Sequence, residues 1–252
     1  MTIKPRSTAR STGAPEEKHP PRLLILVEEA MSETYFRSII ASLNLASRVH
    51  LAALPAGAER AEPMALVEAA YKELAWSRAA SDAPFTEAWL VFDRGLHHSY
   101  DEALRTLEKL GEPIHAAWSN PSIEYWLRLH YSRDTAGLKA DEELTAKCVT
   151  RTEENADGTC TRTTVEHIWR GMKPATMTRH LKEVCRQYRP GEIPSDLLSR
   201  TRDALENAQA ASQDARPFAL GTAVPRLVAR LLALSPIRTP EKLGFQEEEP
   251  PF

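Results

Sequence analysis

The sequence predicts an α/β protein with a mostly parallel sheet and helices on both of its faces. Short, continuous apolar runs alternate along the chain with longer segments that have helical periodicity, and two of these runs end in a carboxylate. Continuous apolar runs are typical of strands that are buried on both faces of a parallel sheet. The repeated order of strand and helix favours parallel pairing, because each helix connects two strands across a face of the sheet.

The first half of the chain contains four strand-like runs. They are Leu23–Val27, Val49–Leu54, Ala88–Phe92 and His115–Trp118. Ser32 is predicted to cap the first helix, and a second helix is predicted from about Pro63 to Ala79. Ser99, followed three residues later by Glu102, forms a capping box for the third helix, which Gly111 is predicted to end.

A fourth helix is predicted to open at Asn120-Pro121, with Asn120 as the cap and proline in the first turn. Beyond Tyr131, two Thr- and Val-bearing runs, 147–152 and 159–165, flank Asn155–Gly158 and predict a β-hairpin. The segments 175–188, 195–211 and 222–234 are predicted to be helical.

The chain is therefore divided into a disordered tail (1–21), an α/β domain (22–135), a helical region with a hairpin (136–238) and a flexible tail (239–252). The helical region either stands apart or covers the sheet, and the sequence leaves both arrangements open.

Composition excludes several classes of protein. The 252 residues are 42% hydrophobic and 27% charged, with a net charge of -3 and a pI of about 6.3, so no global basic field attracts nucleic acid. No apolar run approaches the roughly 18 residues of a membrane span, and the N-terminus lacks the pattern of a signal peptide. The three cysteines form no CxxC pair, which argues against a disulfide framework and a zinc site. We therefore expect a cytoplasmic protein with no membrane partner.

Glu28 and Asp93 directly follow the first and third predicted strands. Ligands of open α/β sheets bind beyond the carboxyl ends of the strands, so these two acids are expected to face one crevice. Paired carboxylates there suit a divalent cation and phosphate chemistry. The plainer interpretation is that loops are polar and that acids often follow strands.

The segment Ser119–His130 adds a second group of candidates. Asn120 and Glu124 follow the fourth strand near the same crevice, and His130, two turns further on, reaches only its edge. The alternative is a buried helix with a Glu124–Arg128 pair and a core histidine.

A local basic patch could bind nucleic acid through phosphate pairing and stacking. Its predicted contacts are Arg151, Arg162, Arg170, Lys173 and Arg179, with Trp169 and Tyr188 interleaved. A solvated helical face with buried aromatic residues explains the same pattern.

Three motifs resemble the RloB-like family, restriction-linked proteins with a Toprim-like fold that occur in phage-defence loci. The family's first motif, Cys-Glu-Gly, two variable residues and Thr-Glu, then Tyr-Phe, corresponds to Val27–Phe36. Its Asp-x-Asp motif corresponds to Asp93-Arg94-Gly95, and its Ser-Asn-Pro-x-Phe-Glu-x-Trp-Leu-x-Leu-His-Phe motif to Ser119–Tyr131. The third motif is long and specific, and the resemblance extends from about Leu23 to Leu232.

The resemblance implies a Toprim-type site that binds Mg²⁺ or Mn²⁺, with Glu28 as general acid/base or ligand and Asp93 as metal ligand. Glu33, Asn120, Glu124 and His130 would be supporting positions. It also implies a nuclease-like effector of antiphage defence that hydrolyses phosphodiesters of RNA (tRNA included) or DNA under the control of an ATPase partner.

This chain departs from the family pattern at two positions. Gly95 replaces the second acid of Asp-x-Asp, and Glu29 replaces the glycine after the first glutamate. Candidate substitutes for the missing ligand are Asp101, His97, His98 and Glu29. A catalytically degenerate scaffold that binds a protein or nucleic acid is therefore the main alternative function, and nucleotidyl or phosphoryl transfer on the same acids is a third.

Overall fold

A computed structural model of the chain describes residues 20–54, 62–135, 138, 144–154, 160–212, 220–237 and 240–245, with the backbone alone for the strands at 144–154 and 160–170. The strands are β1 (Leu23–Val27), β2 (Val49–Ala53), β3 (Glu87–Asp93), β4 (Ile114–Asn120), β5 (Leu144–Glu154), β6 (Cys160–Arg170) and β7 (Gly221–Thr222). The helices are α1 (Ala30–Ser42), α2 (Pro63–Ala80), α3 (Tyr100–Leu110), α4 (Ile123–Leu129), α5 (Pro174–Val184), α6 (Thr201–Ser212) and α7 (Val224–Leu234).

The main sheet has five strands in the order β2-β1-β3-β4-β7. The pairs β2–β1, β1–β3 and β3–β4 are parallel, which confirms the predicted α/β fold with a mostly parallel sheet. The short strand β7 adds an antiparallel edge beside the end of β4. The sequence did not predict this strand, because two residues are too few to produce a periodic pattern.

Helices cover both faces of the sheet, as predicted. Alternate strand residues such as Ile25 and Val91 belong to one core with α1, α4, α5, α6 and α7, whereas Leu26 and Leu90 belong to a second core with α2 and α3. The C-terminal helices thus share a continuous core with the sheet and cover it. Leu243 and Phe245, within the predicted flexible tail, are buried in the same core.

The hairpin is present as the antiparallel pair β5–β6, in which Val149 pairs with Val165. Its predicted turn, Asn155–Gly158, lies outside the described residues, as do residues 1–19 and 246–252 of the predicted tails.

Two predicted helix starts are wrong. Helix α1 begins at Ala30 with Glu29 at the N-cap position, so Ser32 lies inside it and is buried. Asn120 is the last residue of β4, and α4 begins only at Ile123. The backbone N–H of Ile123 donates to Asp93 Oδ2 at 2.9 Å, so the capping group comes from a distant strand, which local sequence cannot show.

Candidate active site

The carboxyl ends of three neighbouring strands bring the candidate acids together. Glu28 follows β1, Asp93 ends β3 and Asn120 ends β4, and the register pairs Val27 with Val91 and Asp93 with Ser119. The chain order reverses between β1 and β3, which is where open α/β sheets form their ligand crevice.

Asp93 is the buried centre of this edge. Its backbone N–H lies 3.3 Å from Glu28 Oε2, and its own Oδ2 accepts the Ile123 N–H at 2.9 Å. Its other oxygen, Oδ1, receives no N–H or hydroxyl hydrogen bond from the described residues. Burial raises the pKa of Asp93 well above its usual range, and the charges of Glu29 and Glu28 raise it further. The charge of Asp93 is therefore poorly compensated by the surrounding protein.

Glu29 is a further carboxyl group of this edge. Although the residue as a whole is exposed, desolvation of its carboxyl group and the charges of Glu124 and Glu28 together raise its pKa to about 7. A hydrogen bond with Asp93 offsets part of the shift, and a bond between two carboxyl groups requires a shared proton. Glu29 thus adds negative potential at the position where the family motif has glycine.

Glu124 reaches the cluster from the first turn of α4. The Tyr188 hydroxyl donates to Glu124 Oε1 at 3.1 Å, and the Thr178 hydroxyl lies 3.4 Å from the same oxygen. Burial raises the pKa of Tyr188, so the phenol stays protonated and serves as a donor. The charge of Glu124 also raises the pKa of both Glu29 and Asp93, so four carboxyl groups interact at this edge.

His97 is the basic group in contact with Glu28. Its Nε2 forms an ion pair with Glu28 Oε1, and its Nδ1 lies 3.6 Å from Glu62 Oε1. Burial by itself lowers the pKa of His97, but the two carboxylates outweigh it and raise the pKa to about 9. At neutral pH the side chain is therefore an imidazolium that compensates the charge of Glu28.

Glu62 holds this histidine in place from the start of α2. It accepts from the Ser99 hydroxyl at 3.0 Å, and Ser99 in turn accepts from the backbone N–H of Met64 at 3.3 Å. His98 Nδ1 also lies 3.0 Å from Glu62 Oε1. The starts of α2 and α3 are thus linked, and the predicted capping box at Ser99 is replaced by this contact.

The proposed substitutes for the missing acid have different surroundings. Glu29 and His97 lie in the acidic cluster, whereas Asp101 pairs with Arg94 at 2.9 Å and His98 contacts Glu62. Gly95 has a φ of +43°, and a Cβ added there would lie 3.5 Å from His97 Cδ2, an ordinary contact distance.

Two other predicted site residues have partners outside the cluster. Glu33 pairs with Arg37 one turn further along α1. His130 is 1% exposed, and its ring packs edge-on against Trp126 and Tyr35. Burial lowers the pKa of His130 to about 3, so it is a neutral core histidine at physiological pH.

The basic patch is only partly described. Lys173 and Arg179 are exposed, at the N-cap of α5 and within that helix, and Arg179 follows directly after Thr178, which contacts Glu124. Side chains of Arg151, Arg162 and Arg170 lie outside the described residues. Tyr188 is fully buried, so of the two interpretations of this pattern the one with buried aromatic residues is correct for Tyr188, and it cannot stack on nucleic acid.

The sequence did not predict that Glu62 contacts Ser99 and His98, or that Thr178 and Tyr188 contact Glu124. Glu62 is separated from Ser99 by α2 and β3, 37 residues along the chain, and Thr178 and Tyr188 are more than 50 residues from Glu124. No local pattern connects such positions, because their proximity depends on how the helices pack over the sheet.

The arrangement can concentrate negative charge at one edge of the sheet, with oxygen ligands of the type that hard divalent cations prefer. Within the described part of the chain, however, no group of three or more His, Cys, Asp or Glu side chains is placed closely enough to hold a metal ion as it stands. A cation at this edge would require the side chains to rearrange, and the ion pair between His97 and Glu28 would have to open first.

These features define an α/β protein with an acidic site at the carboxyl edge of a mostly parallel sheet. A family model described as RloB-like protein matches residues 23–231, and the chain belongs to that family. Neither a curated relative nor a solved structure matches the chain. None of the described helices combines the length and apolar character needed to cross a membrane.

Proposed function

We propose that this protein is a Mg²⁺- or Mn²⁺-dependent nuclease-like effector of a bacterial antiphage defence system, acting in the cytoplasm. Its substrates would be phosphodiesters of RNA, tRNA among them, or DNA, and an ATPase partner would control it. The observation that carries the proposal is the environment of the buried Asp93. Its Oδ1 has no N–H or hydroxyl donor among the described residues, and three other carboxyl groups add negative charge around it. The family membership adds the expectation of defence and of the ATPase partner.

The residues present fit a hard cation in their chemistry. Burial raises the pKa of Asp93 and of Glu29, and the charges of the neighbouring carboxylates raise both further, so positive charge at this edge is scarce. Asp93 and Glu28 would hold the cation, and Glu29 is the adjacent carboxylate that replaces a ligand lost at Gly95. When bound, a divalent cation would stabilise the charge that develops on the phosphodiester.

Each side chain then has a defined task. Glu28 would accept or return a proton at its carboxylate once its ion pair with His97 opens, and until then His97 holds that carboxylate in place. Tyr188 and Thr178 orient Glu124 from the opposite side of the crevice. Lys173 and Arg179 on α5 would contact substrate phosphates, since Thr178 brings that helix to the acidic cluster.

The proposal is tested by cleavage assays with purified protein on tRNA, mRNA and DNA, with and without Mg²⁺ or Mn²⁺. Glu28→Gln and Asp93→Asn keep the size of each side chain and remove its charge, and both are expected to lower cleavage by at least about 100-fold. Glu68→Gln and Asp82→Asn, at exposed positions, are the matched controls and should cleave like the wild type.

Cleavage that survives Glu28→Gln and Asp93→Asn, or that persists unchanged in a chelator, would contradict the proposal. Adding any ATPase that is encoded beside the gene, with ATP, separates an inactive enzyme from one that needs its partner.

A second candidate function is a scaffold that binds nucleic acid or a protein without chemistry. The observation that favours it is the pairing of Glu28 with His97, because a carboxylate neutralised by a histidine is not a ready metal ligand. Nucleic acid bound with equal affinity by wild type and Asp93→Asn, with no turnover under any condition, would support this function.

A further inference from the structure

A second polar cleft lies at the opposite edge of the sheet, around the start of β3. It has a volume of about 690 Å³ and is bordered by Glu87, Trp89, His115, Arg226 and Arg230. Strand β3 runs from Glu87 to Asp93, so the cleft lies about 20 Å from the acidic cluster, at roughly 3.3 Å per residue. A ligand in this cleft would not touch the candidate active site.

The carboxylate in the floor of the cleft is already satisfied. Glu87 is 8% exposed, and its Oε1 is contacted by Arg230 through Nε at 2.8 Å and Nη2 at 2.6 Å. The indole N–H of Trp89 donates to Glu87 Oε2 at 3.0 Å. Its negative charge is therefore compensated, and the cleft does not offer this carboxylate to a cation.

The positive charge in the cleft is not matched in the same way. Arg226 is exposed on α7, one turn before Arg230, and within the described residues its guanidinium makes no hydrogen bond or ion pair. Helix α7 contains no acidic residue. Arg230 is already paired with Glu87, so Arg226 is the guanidinium of the cleft whose charge has no carboxylate partner among the described residues. Guanidinium groups also bind phosphate oxygens in pairs, which gives geometric specificity.

His115 supplies a third polar group. Its ring stacks on Trp89 with centroids 4.6 Å apart and planes inclined by 31°, so its orientation is fixed. Its Nε2 lies 3.0 Å from Glu112 Oε2, but that side chain is 81% exposed and can move away into solvent. An anion entering the cleft would thus meet Arg226, Arg230 and an oriented imidazole. It would also lie beside two carboxylates, Glu87, whose Oε2 is 3.8 Å from His115 Nε2, and Glu112.

We propose that this cleft binds an organic phosphate of mononucleotide size, with the phosphate on Arg226 and Arg230. The volume lies within the range of about 300–1,000 Å³ found for small-molecule sites. Because the cleft lies about 20 Å from Asp93, the ligand would not be a substrate of the acidic cluster, and it would act on that cluster as an effector through β3. This inference stands apart from the nuclease proposal, since the cleft shares no residue with that site.

The test is calorimetric titration of the full chain with AMP, with adenosine and with inorganic phosphate, in the presence of a chelator. AMP is expected to bind with a Kd below about 1 mM, inorganic phosphate more weakly, and adenosine not measurably. Arg226→Gln is expected to weaken AMP binding at least about tenfold. Arg105→Gln, an exposed arginine on α3, is the matched control and should bind AMP like the wild type.

Three results would overturn the inference. They are an AMP Kd above about 1 mM, equal affinity of AMP for wild type and Arg226→Gln, and binding of adenosine as strong as that of AMP. Asp93→Asn serves as a position control, because loss of AMP binding in that variant would place the nucleotide at the acidic cluster. Retention of binding in Asp93→Asn together with its loss in Arg226→Gln is the expected pattern.

Discussion

His130→Asn tests whether this histidine is a core residue, as the structure shows, or a member of the active site. Nδ1 of His130 lies 3.1 Å from the carbonyl oxygen of Trp126, and Nε2 has no partner in the described structure. Since a carbonyl oxygen can only accept, Nδ1 must carry the proton of the neutral ring. Asparagine places an amide donor near the position of Nδ1 and removes the titrating group.

The magnitude follows from the pKa of His130, which burial lowers from 6.5 to about 3. As the pH falls below 6.5, the unfolded chain binds a proton and the folded protein does not, so stability decreases between pH 6.5 and about pH 3. At about 1.4 kcal/mol per pH unit, the free energy of unfolding loses about 2 kcal/mol from this group between pH 8 and pH 5.

The assay is urea unfolding of wild type and His130→Asn at pH 8 and at pH 5, followed by circular dichroism. The difference in unfolding free energy, wild type minus variant, is expected to decrease by about 2 kcal/mol at the lower pH. His50→Asn, at an exposed position, should follow the wild-type pH profile. A difference that stays constant from pH 8 to pH 5 would refute the assignment, because His130 would then titrate as in water.

Two further predictions concern the edge of the acidic cluster. Gly95→Asp is expected to cost about 1 kcal/mol of stability because of the positive φ, and its melting temperature should rise more with Mg²⁺ than that of the wild type. Gly95→Asn has the same backbone preference and no charge, so Mg²⁺ should not raise its melting temperature more than that of the wild type. Equal Mg²⁺ shifts for both variants would contradict the reasoning. Ser99→Ala removes the contacts with Glu62 and Met64, so it is expected to lower the free energy of unfolding by about 1–2 kcal/mol, measured by urea titration. A urea midpoint equal to that of the wild type would contradict this expectation.

The strands and the acidic edge could be predicted because their signals are local. The runs at Leu23–Val27 and Ala88–Phe92 are continuously apolar, and Glu28 and Asp93 follow them directly, so period and position alone placed both acids at one edge. The prediction that helices cover both faces rested on the same alternation of strands and helices.

The remaining features depend on contacts between distant parts of the chain. Helix α4 starts at Ile123 because Asp93 accepts its N–H across 30 residues, and a local rule that favours Asn120-Pro121 cannot include that bond. The ion pair between His97 and Glu28 spans almost 70 residues, so the sequence could name His97 only as one of four candidate substitutes for the missing ligand. The basic neighbours of Tyr188 left both a nucleic-acid contact and a buried aromatic residue open, and only packing against α4 shows that it is buried.

The turn after β3 determines how far the loss of the second acid changes this site. Gly95 donates its backbone N–H to the Pro121 carbonyl at 2.8 Å, and His97 donates to the Arg94 carbonyl at 3.0 Å, so the chain turns back and brings the imidazole to Glu28. A carboxylate at position 95 would have added negative charge there, whereas His97 supplies positive charge. This charge compensates Glu28 but leaves Asp93 and Glu29 crowded, as their raised pKa values show. With Gly95 in place of the second acid, the uncompensated charge therefore lies at Asp93 and Glu29, which is where the proposed cation would bind.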